Sequence, residues 1–315
     1  MPQRQLVSFD WAIKRLLRSK ANFGILEGFL SELLRDDITI LEILDGESNR
    51  EHKHNKYNRV DIKVRNQHEE LVIIEVQFEQ ELDYLQRILF GTSKVIVEHL
   101  KQSASYDQVS KVISVNILYF DLGRGDDYIY RGCTQFTGLH TGHLLELSDR
   151  QQTAFNKTSV GQIFPEYYLI KVNQFNDVAK DTLDEWIYFL KNETIQDNFQ
   201  AKGLQEAKEQ LDVLKLSETA RRDYEAYLED RRYEASMFNS SYGCGHMDGW
   251  KKGMEKGVEK GVEKGRLELL IEQATAKYGS LPPWAEERLR TASAQTLQTW
   301  SQTIFKAETL EAWLA

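Results

Sequence analysis

An α/β fold, with a central mixed β-sheet flanked by helices and a helical C-terminal extension, is predicted by three observations. Short segments rich in β-branched residues recur between residues 38 and 136. Segments whose apolar residues fall at helical spacing precede and separate them. Beyond about residue 200 the chain becomes dense in charge and helical in period.

The elements follow in order. FDWAIKRLLRSKANFGILEGFLSELLR, residues 9–35, places apolar side chains at helical intervals on either side of Lys20-Ala21-Asn22 and reads as two short helices. Phe9, Ile13, Leu16 and Leu17 share the face predicted to be buried. Three strands are predicted next, ITILEIL at 38–44, NRVDIKVR at 58–65 and EELVIIEVQF at 69–78. The linker between the last two is short enough for a hairpin. Leu85, Ile88, Leu89, Val95, Ile96 and Leu100 restore helical spacing over 83–101. VISVNILYF at 112–120 suits a buried central strand. YIYRGCTQF at 128–136 and residues 167–172 read as further strands, and 181–191 as a helix.

Length and composition set the class. The chain has 315 residues, 41% hydrophobic and 28% charged, enough for one large or two modest folded domains. No stretch of about 18 apolar residues and no leader-like N-terminus appears, so neither a membrane span nor export is indicated. Two cysteines, Cys133 and Cys244, cannot build a disulfide framework and point to a reducing, cytoplasmic setting. The net charge of −9 disfavours a surface coated with phosphate contacts. Charge is nevertheless local, and a basic face or a bound cation can act within an acidic chain.

The C-terminal third has its own organisation. A charged, helical linker is predicted over 196–249, closing on FNSSYGCGHMDG, a cluster of Ser, Asn and Gly that reads as a loop. Gly253, Gly257, Gly261 and Gly265 then recur every fourth residue in GMEKGVEKGVEKG. This spacing puts the glycines on one helical stripe, open to a second helix or a second copy of the chain. The remaining residues to 315 resume helical periodicity around Pro282-Pro283, so 250–315 is read as a glycine-periodic helix with a small helical domain. Trp186, Trp284, Trp300 and Trp313 are assigned to core packing.

Candidate chemistry lies in the 58–78 hairpin. Asp61 and Lys63 alternate with Val60, Ile62 and Val64 and so share one strand face; Glu75 and Gln77 share one face of the next strand. If the strands pair, the two carboxylates converge. Acids on strands are usually solvated or ion-paired, but Glu75 interrupts the apolar run VIIEVQF, where an unpaired charge is costly. Two carboxylates and the Val76 carbonyl are the oxygen donors that a hard cation such as Mg²⁺ takes, together with water and substrate phosphate. Gln77 is then placed to orient water or a phosphate oxygen. His52 and His54 in REHKHNKYNR are read as loop residues, and the basic residues there as phosphate contacts.

The series FDWAIKRLL, FLSELL, RVDIKV, VIIEVQ, a helix with Tyr84 and Arg87, and VISVNILYF resembles the Rpn family of recombination-promoting nucleases and putative transposases, within the PD-(D/E)xK superfamily. The likeness runs from residue 9 to about 240, through DEWIYFLK and ARRDYEAYLEDRR. It implies a PD-(D/E)xK, restriction-endonuclease-like core over residues 1–195, a divalent cation (Mg²⁺ or Mn²⁺) and hydrolysis of DNA. It aligns Asp61 with the motif's Asp, Glu75 with its Glu and Gln77 with the position that is Lys in the superfamily's name. Gln brings no positive charge and cannot act as a base. Lys63 is the candidate for the missing charge, with a solvent-facing lysine as the alternative. Asp10 and Lys14 match the opening of the family's first helix, and Asp10 is read as an N-terminal acid of that helix, with membership of the site as the alternative. Glu32 sits where many superfamily nucleases supply a helical acid. A metal-dependent DNA endonuclease is thus expected, with a weakly active or inactive DNA-binding assembly protein as the alternative.

Overall fold

A computed structural model of the chain describes residues 6–44, 61–100 and 105–315. The readings of His52, His54 and the basic residues around them, and the first residues of the 58–65 segment, lie outside the described residues. Two compact units are present, residues 1–233 and 234–315.

The first unit is built on a six-stranded sheet in the order β1-β2-β3-β4-β6-β5. Its strands are β1 (Ile40–Ile43), β2 (Ile62–Asn66), β3 (Leu71–Gln77), β4 (Val112–Leu118), β5 (Ile129–Gly132) and β6 (Glu166–Lys171). β1, β2 and β3 form an antiparallel meander. β4 and β6 run parallel to β3, and β5 closes the edge antiparallel to β6. The β3 to β4 connection needs a crossover because the strands are parallel, and α3 (Tyr84–His99) supplies it. The mixed α/β core with flanking helices is therefore present as expected.

Alternation along the strands divides the side chains between two layers. Ile62, Val64, Val72, Ile74, Val76, Val115, Ile117 and Ile170 face one way. They pack against α1 (Phe9–Arg15), α2 (Phe23–Leu34) and α5 (Thr182–Asn192), whose Phe9, Phe29, Trp186 and Phe189 rings meet mostly edge to face. Leu71, Ile73 and Leu118 face the other way, under Val95, Tyr84 and Ile88 of α3. Phe9, Ile13 and Leu17 are buried as predicted, whereas Leu16 is half-buried.

The strand predicted over 128–136 is shorter, Ile129–Gly132, its pairing stopping at Gly132 opposite Tyr167, one residue from the start of β6. Residues 196–228, predicted as part of a linker, carry core side chains instead. Ala201, Leu204 and Ala207, the last two on α6 (Leu204–Gln210), are buried with Leu211 and Tyr224 in the same layer as α1 and α5. The charged residues between them mark the solvent side of an amphipathic segment, which composition alone does not separate from a linker.

α7 spans Glu218–Tyr278, beginning in the first unit and ending in the second. FNSSYGCGHMDG is helical throughout, contrary to the predicted break. No proline lies between 166 and 281, and Ser and Gly only weaken a helix, by about 1 kcal/mol per glycine, without removing its hydrogen bonds. In the second unit α8 (Pro283–Thr291), α9 (Ala294–Thr303) and α10 (Leu310–Leu314) pack around Leu270, Leu289, Trp300, Ile304 and Trp313. Trp284 is 43% exposed, so the core-packing expectation fails for that tryptophan. It occupies the first turn of α8, where the helical period sets it on the side away from buried Leu289. Among the described residues no helix is long and apolar enough to cross a membrane.

Candidate active site

Hairpin register brings the two acids together. The ladder ends at Ile62 opposite Ile74, so Asp61 lies just before β2 rather than within the strand as predicted, near enough to Glu75 for its charge to act on that carboxyl. The Asp61 N–H donates to the Ile74 carbonyl at 3.1 Å, and the Val76 N–H donates to Asp61 Oδ2 at 2.7 Å. A side-chain oxygen thus takes a donor that a further strand residue would otherwise occupy, which fixes the carboxylate at the strand end. The N–H and C=O of one strand residue point to the same side, so the Val76 carbonyl also faces the Asp61 edge.

Cations sit on both acids. Lys14 Nζ lies 2.6 Å from Asp10 Oδ1 and 3.5 Å from Asp61 Oδ1. Asp10 is buried and also accepts from the Tyr227 hydroxyl of α7. Asp10 is accordingly both a first-turn acid of α1 and a neighbour of Asp61 through Lys14. On the other side Arg87 of α3 donates to Glu75 Oε1 and to Glu81. Gln77 Nε2 donates to the same Glu81 carboxylate at 3.0 Å. Beneath them, Asn116 stands opposite Glu75 in the parallel register and accepts from the Tyr84 hydroxyl at 3.1 Å.

The electrostatics place the acids under strain. Burial pushes the Glu75 carboxyl up, Arg87 opposes that, and Asp61 and Glu81 add to it, leaving it raised to about 7. Burial also raises Asp61, with Asp10 adding to it, against Lys14 and the Val76 N–H. Lys14 is disfavoured by burial, but Asp61 and Asp10 more than compensate and its net shift is upward. Asp61 adds to the rise of Glu75 and Asp10 to that of Asp61, despite Arg87 and Lys14, so the acids stand to gain from further positive charge.

Other predicted residues lie elsewhere. Lys63 is buried and pairs with Glu98 of α3 at 3.8 Å, directed to neither Asp61 nor Glu75. Burial lowers its pKa, with Glu98 opposing. Glu32 accepts from the Thr182 hydroxyl at 2.5 Å and the Lys202 N–H at 3.2 Å, a contact between α2 and α5 outside the site. Arg87 entered the sequence reading only through the resemblance, and Glu81 and Tyr227 did not enter it. Their roles depend on α3 lying against the hairpin and on α7 reaching Asp10 of α1. Asn116 was not singled out either, although a polar residue within the apolar run VISVNILYF is a signal that could have found it.

A cavity of about 1070 Å³ lies at the opposite ends of these strands, lined among others by Glu70, Lys111, Arg131 and Glu166. Its charges satisfy one another. Lys111 pairs with Glu166 at 2.7 Å, Lys157 lies 3.8 Å from Glu70, and the Tyr168 hydroxyl donates to Glu166 at 2.7 Å.

A meander, a crossover helix and a parallel strand, with two acids close together at one end of the hairpin, define an α/β protein of the restriction-endonuclease type. The chain belongs to the PD-(D/E)XK nuclease family transposases, whose sequence model matches residues 7–240. The match begins just before α1 and ends within α7, so it covers every strand and the helices that place Asp61, Glu75 and Gln77. No match is found among curated proteins or among solved structures.

Proposed function

We propose that this protein is a divalent-metal-dependent endonuclease that hydrolyses phosphodiester bonds in DNA. The observation that carries the reading is the Val76 N–H bond to Asp61 Oδ2 at 2.7 Å, which holds the Asp61 carboxylate at the end of β3 near Glu75, in a chain of this family. Asp61, Glu75 and the Val76 carbonyl would hold Mg²⁺ or Mn²⁺. Among the described residues no group of three or more His, Cys, Asp or Glu side chains is placed to hold a metal. A hard cation that keeps several waters and takes substrate phosphate needs only one or two carboxylates, and the raised pKa values of both acids fit a site that would gain from a cation. When bound, the ion would stabilise charge on the phosphodiester and lower the pKa of a coordinated water.

The protein's own groups have separable tasks. Gln77 can orient a water or a phosphate oxygen through its amide and cannot take a proton. Lys14 and Arg87 supply positive charge beside the acids, from α1 and α3, in place of the lysine that Gln77 replaces. Cys133 and Cys244 are both free and exposed, which agrees with the cytoplasmic setting we propose.

Plasmid incubated with purified protein and Mg²⁺ or Mn²⁺ should be nicked, and Asp61→Ala should abolish nicking. Equal activity in both proteins would remove the site assignment. A second reading, a DNA-binding assembly protein that keeps the fold without vigorous cleavage, is favoured by the ion pairs that Lys14 and Arg87 already make with both acids. Titration calorimetry with Mn²⁺ separates the two, since heat lost in Asp61→Ala supports the enzyme and absence of heat in the wild type supports the scaffold.

A further inference from the structure

Between Asp10 and Glu27 the chain carries Lys14, Arg15, Arg18 and Lys20 and no acid, a local excess of positive charge in a protein of net charge −9. The fold turns this excess outward. Ile13 and Leu17 are fully buried and hold the segment against the core, while Lys14, Arg15, Arg18 and Lys20 are all exposed. It also ties the segment to the carboxylate pair: the Arg18 guanidinium donates to the Asp61 carbonyl at 2.8 Å, and Lys14 Nζ lies 3.5 Å from the Asp61 carboxylate. Arg15 and Lys20 make no ion pair among the described residues.

We infer that Arg15 and Lys20, on either side of an Arg18 that is held on the Asp61 carbonyl, form a track for the phosphate backbone of duplex DNA, leading one strand to Asp61. The inference rests on the nuclease reading for its choice of DNA, but it concerns binding rather than cleavage. Backbone contacts from Lys and Arg supply sequence-independent affinity by releasing condensed counterions, so their number is read from the salt dependence of binding. A net acidic chain repels a polyanion over most of its surface, so binding must be concentrated where the sign reverses. The end of α1 combines that reversal with contact to the acid that would sit beside a scissile phosphate. Lys14 is committed to Asp10 and Asp61 and is not counted as a track residue.

The experiment is fluorescence anisotropy of a labelled DNA duplex at several salt concentrations in EDTA, so that no cleavage intervenes. The proteins are wild type, Arg15→Glu/Lys20→Glu, and Arg150→Glu as a control for charge reversal. Arg150 lies on α4 (Asp149–Phe155), which borders the cavity at the opposite ends of the strands. The double variant is expected to bind at least tenfold more weakly and to reduce the slope of log K against log salt by about 2, one for each phosphate that Arg15 or Lys20 no longer neutralises. Arg150→Glu should leave the slope unchanged, and matched melting curves should show that all three proteins are folded. An unchanged slope in the double variant, an equal loss in Arg150→Glu, absence of binding by the wild type, or tighter binding of double-stranded RNA of the same sequence would each overturn the inference. Plasmid nicking with an unaltered slope would leave the nuclease reading standing and remove the track; an altered slope without nicking would do the reverse.

Discussion

At the scale of the residue, two buried or half-buried acids show opposite design. Burial would raise Glu166, but hydrogen bonds from Arg131, Lys111 and Tyr168 more than reverse this and bring it down to about 2. Glu75 is left raised to about 7 in spite of Arg87. A carboxyl whose folded pKa is depressed stabilises the fold above its ordinary value and loses that contribution as pH falls toward the folded one. Glu166→Gln should therefore cost on the order of 2 kcal/mol at neutral pH. Its deficit against the wild type in urea denaturation should close as pH drops from about 4.5 to about 2. Glu75→Gln and Asp61→Asn, measured in EDTA, should be no less stable than the wild type, because each removes a charge that burial disfavours and keeps a hydrogen-bonding group. Clear destabilisation by both would mean that these acids are structural. Glu75 was legible in the sequence because an acid interrupts an apolar run, and Asp61 because it alternates with valines and isoleucine. The partners of the two acids were not, since Arg87 and Lys14 reach them only through packing of α3 and α1 that no local pattern encodes.

At the scale of the element, the β2–β3 hairpin does the positioning, and its turn sets the register. The Asn66 side chain accepts from the N–H groups of His68 at 3.0 Å and Glu70 at 2.9 Å, and Glu69 holds a left-handed φ of 59°. Asn and Gly tolerate that region better than other residues. Glu69→Gly should therefore be neutral or stabilise by up to about 1 kcal/mol. Asn66→Ala leaves two turn donors without their acceptor and should cost about 1–2 kcal/mol. The functional consequence is testable in the same variant: a loosened turn weakens the β2–β3 pairing that brings Asp61 near Glu75, so Mn²⁺ affinity by calorimetry should fall with stability, although Asn66 lies at the far end of the hairpin. Strands and helices were legible here because their periods differ and β-branched residues concentrate in the strands. The end of β5 was not, since pairing stops where β6 begins, a partner set by the fold and not by the local pattern.

At the scale of the whole molecule, the strands and the helices α1, α2, α3 and α5 were legible between residues 9 and 192, but the short helix α4, which buries no side chain, and the limit of the first unit were not. Charge density suggested a linker from residue 196, yet this stretch completes the core. The Trp186 indole donates to the Lys202 carbonyl at 3.1 Å, and Leu6 bridges Asp212 across the chain. The Ser8 N–H donates to the Tyr224 hydroxyl at 3.2 Å, and Tyr227 reaches Asp10, which holds Lys14 beside Asp61. A chain ending at residue 195 would lose the burial of Leu204, Leu211 and Tyr224, each worth roughly 1.5–3 kcal/mol, against a total stability of about 5–15 kcal/mol for a typical domain. It should fail to fold cooperatively and should aggregate. A chain ending at residue 240 keeps every one of these contacts and the whole span matched to the family; it should unfold in a single transition and bind Mn²⁺ as the full chain does. If copies assemble through the exposed Met254, Val258 and Val262 beside the open glycine stripe of α7, the shorter chain should also sediment as a monomer where the full chain does not. Cooperative folding of the chain ending at 195 would show that the helices after α5 decorate the domain rather than complete it, and would detach the Asp10 and Lys14 arrangement from the support assigned to α7.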